Sequence, residues 1–142
     1  MNLSAKTEYA CLAVLELTLH HESGQPVRVR EIADAHGIPS RFLVQILLQL
    51  KGAGLVTSTR GMAGGYRLSR TPQDITLGDV RRVVEGRGAE PVSNAGRQTR
   101  ASRTLLATWQ RIAATQRELL DGVTFADLAA TLREPAESMY YI

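Results

Sequence analysis

The stretch from Val27 to Arg70 constrains this chain more than any other. Ile32 and Ala33 form the inner side of a short helix over about Arg30 to His36, and Gly37 stops it. Pro39-Ser40 opens a second helix that runs to about Lys51. Leu43, Ile46, Leu47 and Leu50 recur at i, i+3, i+4 and i+7, so they share one buried face. Arg41, Val44, Gln45 and Leu48 lie opposite. Two short helices about a turn at Gly37-Ile38-Pro39 read as a helix-turn-helix. After Gly52-Ala53-Gly54, the segment Leu55 to Thr59 is rich in β-branched residues and reads as a strand. Arg60-Gly61-Met62-Ala63-Gly64-Gly65 is a turn, and Tyr66 to Arg70 alternates as the return strand. A hairpin placed directly after a recognition helix is a wing. The expected fold is mainly α with a small β-hairpin wing: a winged helix-turn-helix domain plus a long C-terminal dimerisation helix.

The flanks supply the rest of that fold. A first helix spans Leu3 to about Leu19, with Ser4 as cap and Gly24 as breaker. Thr76 to Val80 opens a fourth helix that ends near Glu85-Gly86. A long helix over about Ser102 to Leu120 carries the stripe Leu105, Leu106, Trp109, Ile112, Ala113, Leu119 and Leu120. Thr124 caps a last short helix with Phe125, Leu128 and Leu132, and Pro135 ends it. The expected division is a DNA-binding domain over 1–86, a polar loop over 87–101, and dimerisation helix, short helix and tail over 102–142. Leu105, Leu106, Trp109, Ile112 and Leu119 are the expected dimer interface.

A length of 142 residues suits one domain. No apolar run approaches the roughly 18 residues that span a bilayer, and the first residues lack a signal-peptide pattern. The expected location is cytoplasmic, with no membrane partner. The single cysteine, Cys11, permits no internal disulfide. The formal net charge is only +3, but its placement is uneven. Residues 60–103 hold nine arginines, no lysine and four acidic side chains. Arginine's planar fork suits phosphates and guanine edges, although an Arg-rich surface is also simply well solvated.

The first turns of a helix in the major groove reach base edges. The third helix offers Ser40, Arg41, Val44 and Gln45 there. Arg41 can grip guanine with two hydrogen bonds, Gln45 can pair with adenine, and Val44 can touch a thymine methyl. Arg60 at the wing can enter a narrow minor groove. Gly61, Gly64 and Gly65 would let the backbone approach phosphates. Asn2, Ser4 and Lys6 at the start of helix one can hold a further phosphate, with simple capping by Ser4 as the plainer alternative. Arg30 completes the expected DNA-binding set. A phosphate loop for a nucleotide is a poor reading of the glycines, because no Gly-Lys-Ser/Thr follows and the next element is a strand.

Residues 1–86 resemble the Rrf-two (Rrf2) family of winged-helix regulators. The resemblance lies in Leu3-Ser4-Ala5-Lys6-Thr7-Glu8-Tyr9-Ala10, in Phe42-Leu43-Val44-Gln45-Ile46-Leu47, in the wing from Gly54-Leu55-Val56 through Arg60-Gly61 to Gly64-Gly65-Tyr66, and in Ile75-Thr76-Leu77-Gly78-Asp79-Val80. It implies a homodimer whose long helices pack together on a near-palindromic operator in double-stranded DNA. Many members carry glutamate where Val44 stands. Iron–sulfur members carry three cysteines in the loop that here runs from Arg87 to Arg103, which has neither cysteine nor histidine. No cluster and no other cofactor is therefore expected.

The end of the chain carries a second resemblance. Glu137-Ser138-Met139-Tyr140-Tyr141-Ile142 is similar to the tail of the family's cysteine-metabolism repressor branch, and to isoleucine-ended serine acetyltransferase tails that enter cysteine synthase. Met139, Tyr140, Tyr141 and Ile142 would then bind cysteine synthase, with the carboxylate captured by backbone N–H groups. Packing of the same residues on the dimer is the alternative.

Other function classes have thinner support. Cys11 lies on helix one as a small hydrophobe, with a redox-sensing thiol as the alternative. His20 and His21 suit charge compensation at a helix C-terminus rather than metal binding. A protein-interaction module on a winged-helix scaffold remains an alternative to DNA binding. No catalytic triad, carboxylate pair or metal-spaced cluster marks an enzyme.

Overall fold

The computed structural model describes residues 2–86 and 90–135. Helix α1 covers Ala5–Leu19, and the Ser4 hydroxyl accepts the Thr7 N–H at 3.2 Å. At its other end a ring nitrogen of His20 bonds the Glu16 carbonyl at 2.9 Å, which satisfies an orphan acceptor of the last turn. Helix α2 (Val29–His36) ends at Gly37, whose φ of +65° suits glycine. Helix α3 (Ser40–Gly52) buries Leu43, Ile46, Leu47 and Leu50, the face its spacing dictates.

Strands β1 (Val56–Thr59) and β2 (Gly65–Leu68) pair antiparallel, Val56 opposite Leu68 and Thr59 opposite Gly65. The wing has a third contributor. Val27, just before α2, forms an isolated antiparallel bridge with Tyr66. A short 3-10 turn at Pro72–Asp74 leads into α4 (Leu77–Glu85). Helix α5 covers Arg100–Asp121, starting two residues earlier than its apolar stripe alone indicates. Helix α6 covers Phe125–Arg133. Helices α4, α5 and α6 begin with reciprocal capping boxes, Thr76 with Asp79, Thr99 with Ser102 and Thr124 with Asp127.

One hydrophobic core joins α1, α2, α3, the wing and α4. Phe125 of α6 is fully buried in the same core. The Phe125 N–H donates to the Ile75 carbonyl at 2.9 Å, and the Leu77 N–H to the Val123 carbonyl at 3.0 Å. Helix α6 thus packs back onto α1 and shares the core of the preceding helices. Helix α5 differs from every other helix, since none of its residues is buried. Met139, Tyr140, Tyr141 and Ile142 lie outside the described residues.

Candidate nucleic-acid interface

Helix α3 turns Ser40, Arg41, Val44 and Gln45 outward because Leu43, Ile46, Leu47 and Leu50 are committed to the core. Ser40, Arg41, Val44 and Gln45 are all exposed, as are Phe42 and Leu48. The Arg41 guanidinium lies over the Phe42 ring at 5.0 Å, a cation–π contact that pre-orients the side chain. Pro39 caps the helix without a side-chain bond, and its carbonyl accepts the Phe42 and Leu43 N–H groups at 3.1 and 3.2 Å.

The start of α1 meets this helix. Lys6 and Gln45 line one cavity, with Ala5, Tyr9, Phe42 and Ile46 around them. The structure thus brings the lysine of the first helix to the exposed face of the third. Asn2, Ser4 and Lys6 are exposed. The Ser4 hydroxyl, however, is engaged: it donates to the Thr7 hydroxyl at 2.9 Å, and Thr7 donates to Glu85 at 2.7 Å. Glu85 in turn accepts from Arg81 at 2.8 Å. That bond, reinforced by Thr7, holds the Glu85 carboxyl below its ordinary range. Sequence reading missed this tie because its partners are 78 positions apart. Arg30 is exposed beside Asp34 at 3.9 Å, a contact that water screens almost completely.

The wing is joined to α3 by Lys51, which donates to Ser58 at 2.7 Å. Arg60 and Gly61 are exposed at its tip, and Gly61 has a φ of +102°. Gly64 and Gly65 are hemmed in by backbone of the protein itself. Gly64 is buried, and a Cβ there would run into the Thr59 carbonyl oxygen. A Cβ on Gly65 would stand 2.6 Å from the Val27 carbonyl oxygen. Both glycines serve close approach within the protein itself, one in the tip and one against the bridge strand.

Helix α5 leaves Leu105, Trp109, Ile112 and Leu119 exposed, while Leu106 is half-buried. Trp109 is 59% exposed, far more than an isolated globular chain normally leaves an indole. Where α4 meets α5, Arg82 bonds Asp121 at 2.8 Å and Asp79 at 2.7 Å. Cys11 sits half-buried on α1. Burial first, and the nearby Glu85 carboxylate second, push its thiol up to about 11. A thiol in that range is protonated at neutral pH, which counts against the redox-sensing alternative. Among the described residues no group of three His, Cys, Asp or Glu is placed to hold a metal. No helix among them is long and apolar enough to cross a membrane.

Known proteins share this arrangement. The sequence profile of the Rrf2 family, described as iron-dependent transcriptional regulators, matches residues 3–131. The HTH-type transcriptional regulator CymR of Bacillus subtilis is 38% identical over 143 residues, covering 100% of both chains. The solved structure of CymR, titled the global cysteine regulator of B. subtilis, superposes with a TM-score of 0.78 at 36% identity, over 92% of this chain and 98% of that one. The IscR structure of T. potens superposes with a TM-score of 0.76 at 30% identity, over 99% of this chain and 97% of that one. The family's description names iron, and the residues here do not fit a thiolate-held iron centre. The chain's one cysteine is Cys11, inside α1, and residues 87–103 contain neither cysteine nor histidine. The chain belongs to the Rrf2 family of transcriptional regulators, proteins that act on transcription rather than as enzymes.

Proposed function

We propose that this protein is a sequence-specific repressor that binds double-stranded DNA as a homodimer. One observation carries the reading. The exposed face of α3, with Arg41, Val44 and Gln45, shares a cavity with Lys6 of α1, and the same helix is tied through Lys51 to the wing that carries exposed Arg60. Helix and wing together match the two grooves of B-DNA. Arg41 reads guanine, Gln45 reads adenine, Val44 contacts a thymine methyl, and Arg60 enters the minor groove. Lys6 and Arg30 supply phosphate contacts. A second copy covers the apolar face of α5 and sets the spacing of two half-sites.

Similarity to a protein titled a global cysteine regulator supports a role at genes of cysteine metabolism. Met139, Tyr140, Tyr141 and Ile142 form the segment that binds cysteine synthase in this reading. The test is selection of bound duplexes from a random pool, followed by titration across salt. Arg60→Ala should lower the salt slope by about 0.9, the loss of one phosphate-level charge. An unchanged slope and affinity would remove the wing from the interface. Deletion of residues 140–142 should abolish co-purification with cysteine synthase while leaving duplex binding intact. Retained co-purification would reject the tail as the binding segment, and no co-purification with the full chain would reject the partner.

A further inference from the structure

The tip of the wing carries an apolar side chain that the fold leaves bare. Met62 is 92% exposed, more than any other large apolar residue among those described. It sits between Gly61 and the exposed Ala63. The turn beneath it is closed, with the Gly64 N–H donating to the Gly61 carbonyl at 3.0 Å and no room for a side chain at Gly64. Met62 is therefore presented at the apex of a defined turn, two positions from the exposed Arg60.

We infer that Met62 discriminates against G·C pairs in the minor groove beneath the wing tip, an assignment that rests on the DNA-binding reading above. The walls of that groove are deoxyribose carbons. Its floor shows only acceptors at A·T, whereas at G·C the guanine 2-amino group projects into it. An unbranched, flexible thioether side chain lies flat along an apolar trough. Where the amino group projects, that side chain is lifted off the floor and an N–H donor is left facing carbon and sulfur. Arg60 supplies attraction to the groove through its charge, and Met62 supplies rejection of the wrong pair.

The test uses a duplex recovered by selection from a random pool, with the pair beneath the wing located by hydroxyl-radical footprinting. That pair is set to A·T, G·C or inosine·C. Inosine keeps guanine's major-groove acceptors and lacks the 2-amino group. For the wild-type chain, G·C should weaken binding about tenfold relative to A·T, and inosine·C should restore it to within about twofold. Met62→Ala should reduce the G·C penalty to about twofold, and Met62→Leu should retain most of it. A full G·C penalty in Met62→Ala would overturn the assignment and give the discrimination to Arg60 and groove width. Inosine·C binding as weakly as G·C, or no G·C penalty in the wild-type chain, would overturn it too. Recovery of no preferred duplex would overturn the DNA-binding reading itself, a result separable from the others.

Discussion

Val27 and Tyr66 exchange both backbone hydrogen bonds, each N–H donating to the other's carbonyl at 2.8 Å. This pair ties the chain just before α2 to the return strand of the wing. The wing is thereby held by the helix-turn-helix on two sides, by Val27 and by Lys51 through Ser58. A reading helix and a wing can address two grooves together only if their relative placement is rigid.

Gly65 is the weak point of that tie. Its φ is +146° and a methyl group there would press on the Val27 carbonyl. Gly65→Ala should lower the unfolding free energy by about 1–3 kcal/mol. It should weaken DNA binding further, because the wing is displaced. Thermal melts and anisotropy titrations check both. A variant with wild-type stability would show that the bridge tolerates the side chain.

Arg41 and Gln45 are exposed and carry little of the fold. Arg41→Ala and Gln45→Ala should leave the melting temperature almost unchanged. Each should reduce discrimination at one base pair by about 1–3 kcal/mol, roughly 5- to 150-fold. Competition against single-pair variants of the selected duplex measures this. A uniform loss across all pairs would reassign the residue to phosphate contact.

Trp109 stands exposed on a helix with no buried residue, the face that a second copy covers in the dimer proposed above. Trp109→Asp should shift the sedimenting species from dimer to monomer, with helical content retained. Operator affinity should then fall by about a hundredfold, as two linked half-sites become one. A monomeric wild-type chain would reject the dimer reading.

Cys11 gives a pH signature. Its thiol is raised from 9.0 to about 11, first by burial and then by Glu85, so the folded state favours the protonated form. A group shifted upward stabilises the fold below its unfolded value and loses that contribution as pH climbs through its folded value. Stability should therefore decline between about pH 9 and 11, and Cys11→Ala should flatten that part of the profile. Alkylation by iodoacetamide at pH 8 should be about tenfold slower in the folded chain than in the unfolded one. The scarcer thiolate is partly offset by its higher nucleophilicity.

Much of the architecture was legible in the residues themselves. The apolar spacing of Leu43, Ile46, Leu47 and Leu50 admits one helix orientation, and once that face is buried Arg41, Val44 and Gln45 must point outward. Thr124 marks its helix start because a side-chain oxygen there satisfies an otherwise orphaned N–H. These are local relations, set within one or two turns of chain. The tertiary structure decided what depends on distant partners. It placed α6 in the core through Phe125, linked Thr7 to Glu85, and brought Val27 alongside Tyr66. It also added a constraint at the glycine-rich tip. The sequence marks Gly64 and Gly65 as unrestrained, but only the folded backbone shows that the Thr59 and Val27 carbonyls stand where their side chains would go. A spacing pattern determines which face a helix buries; it carries no record of which remote atom will press against that face.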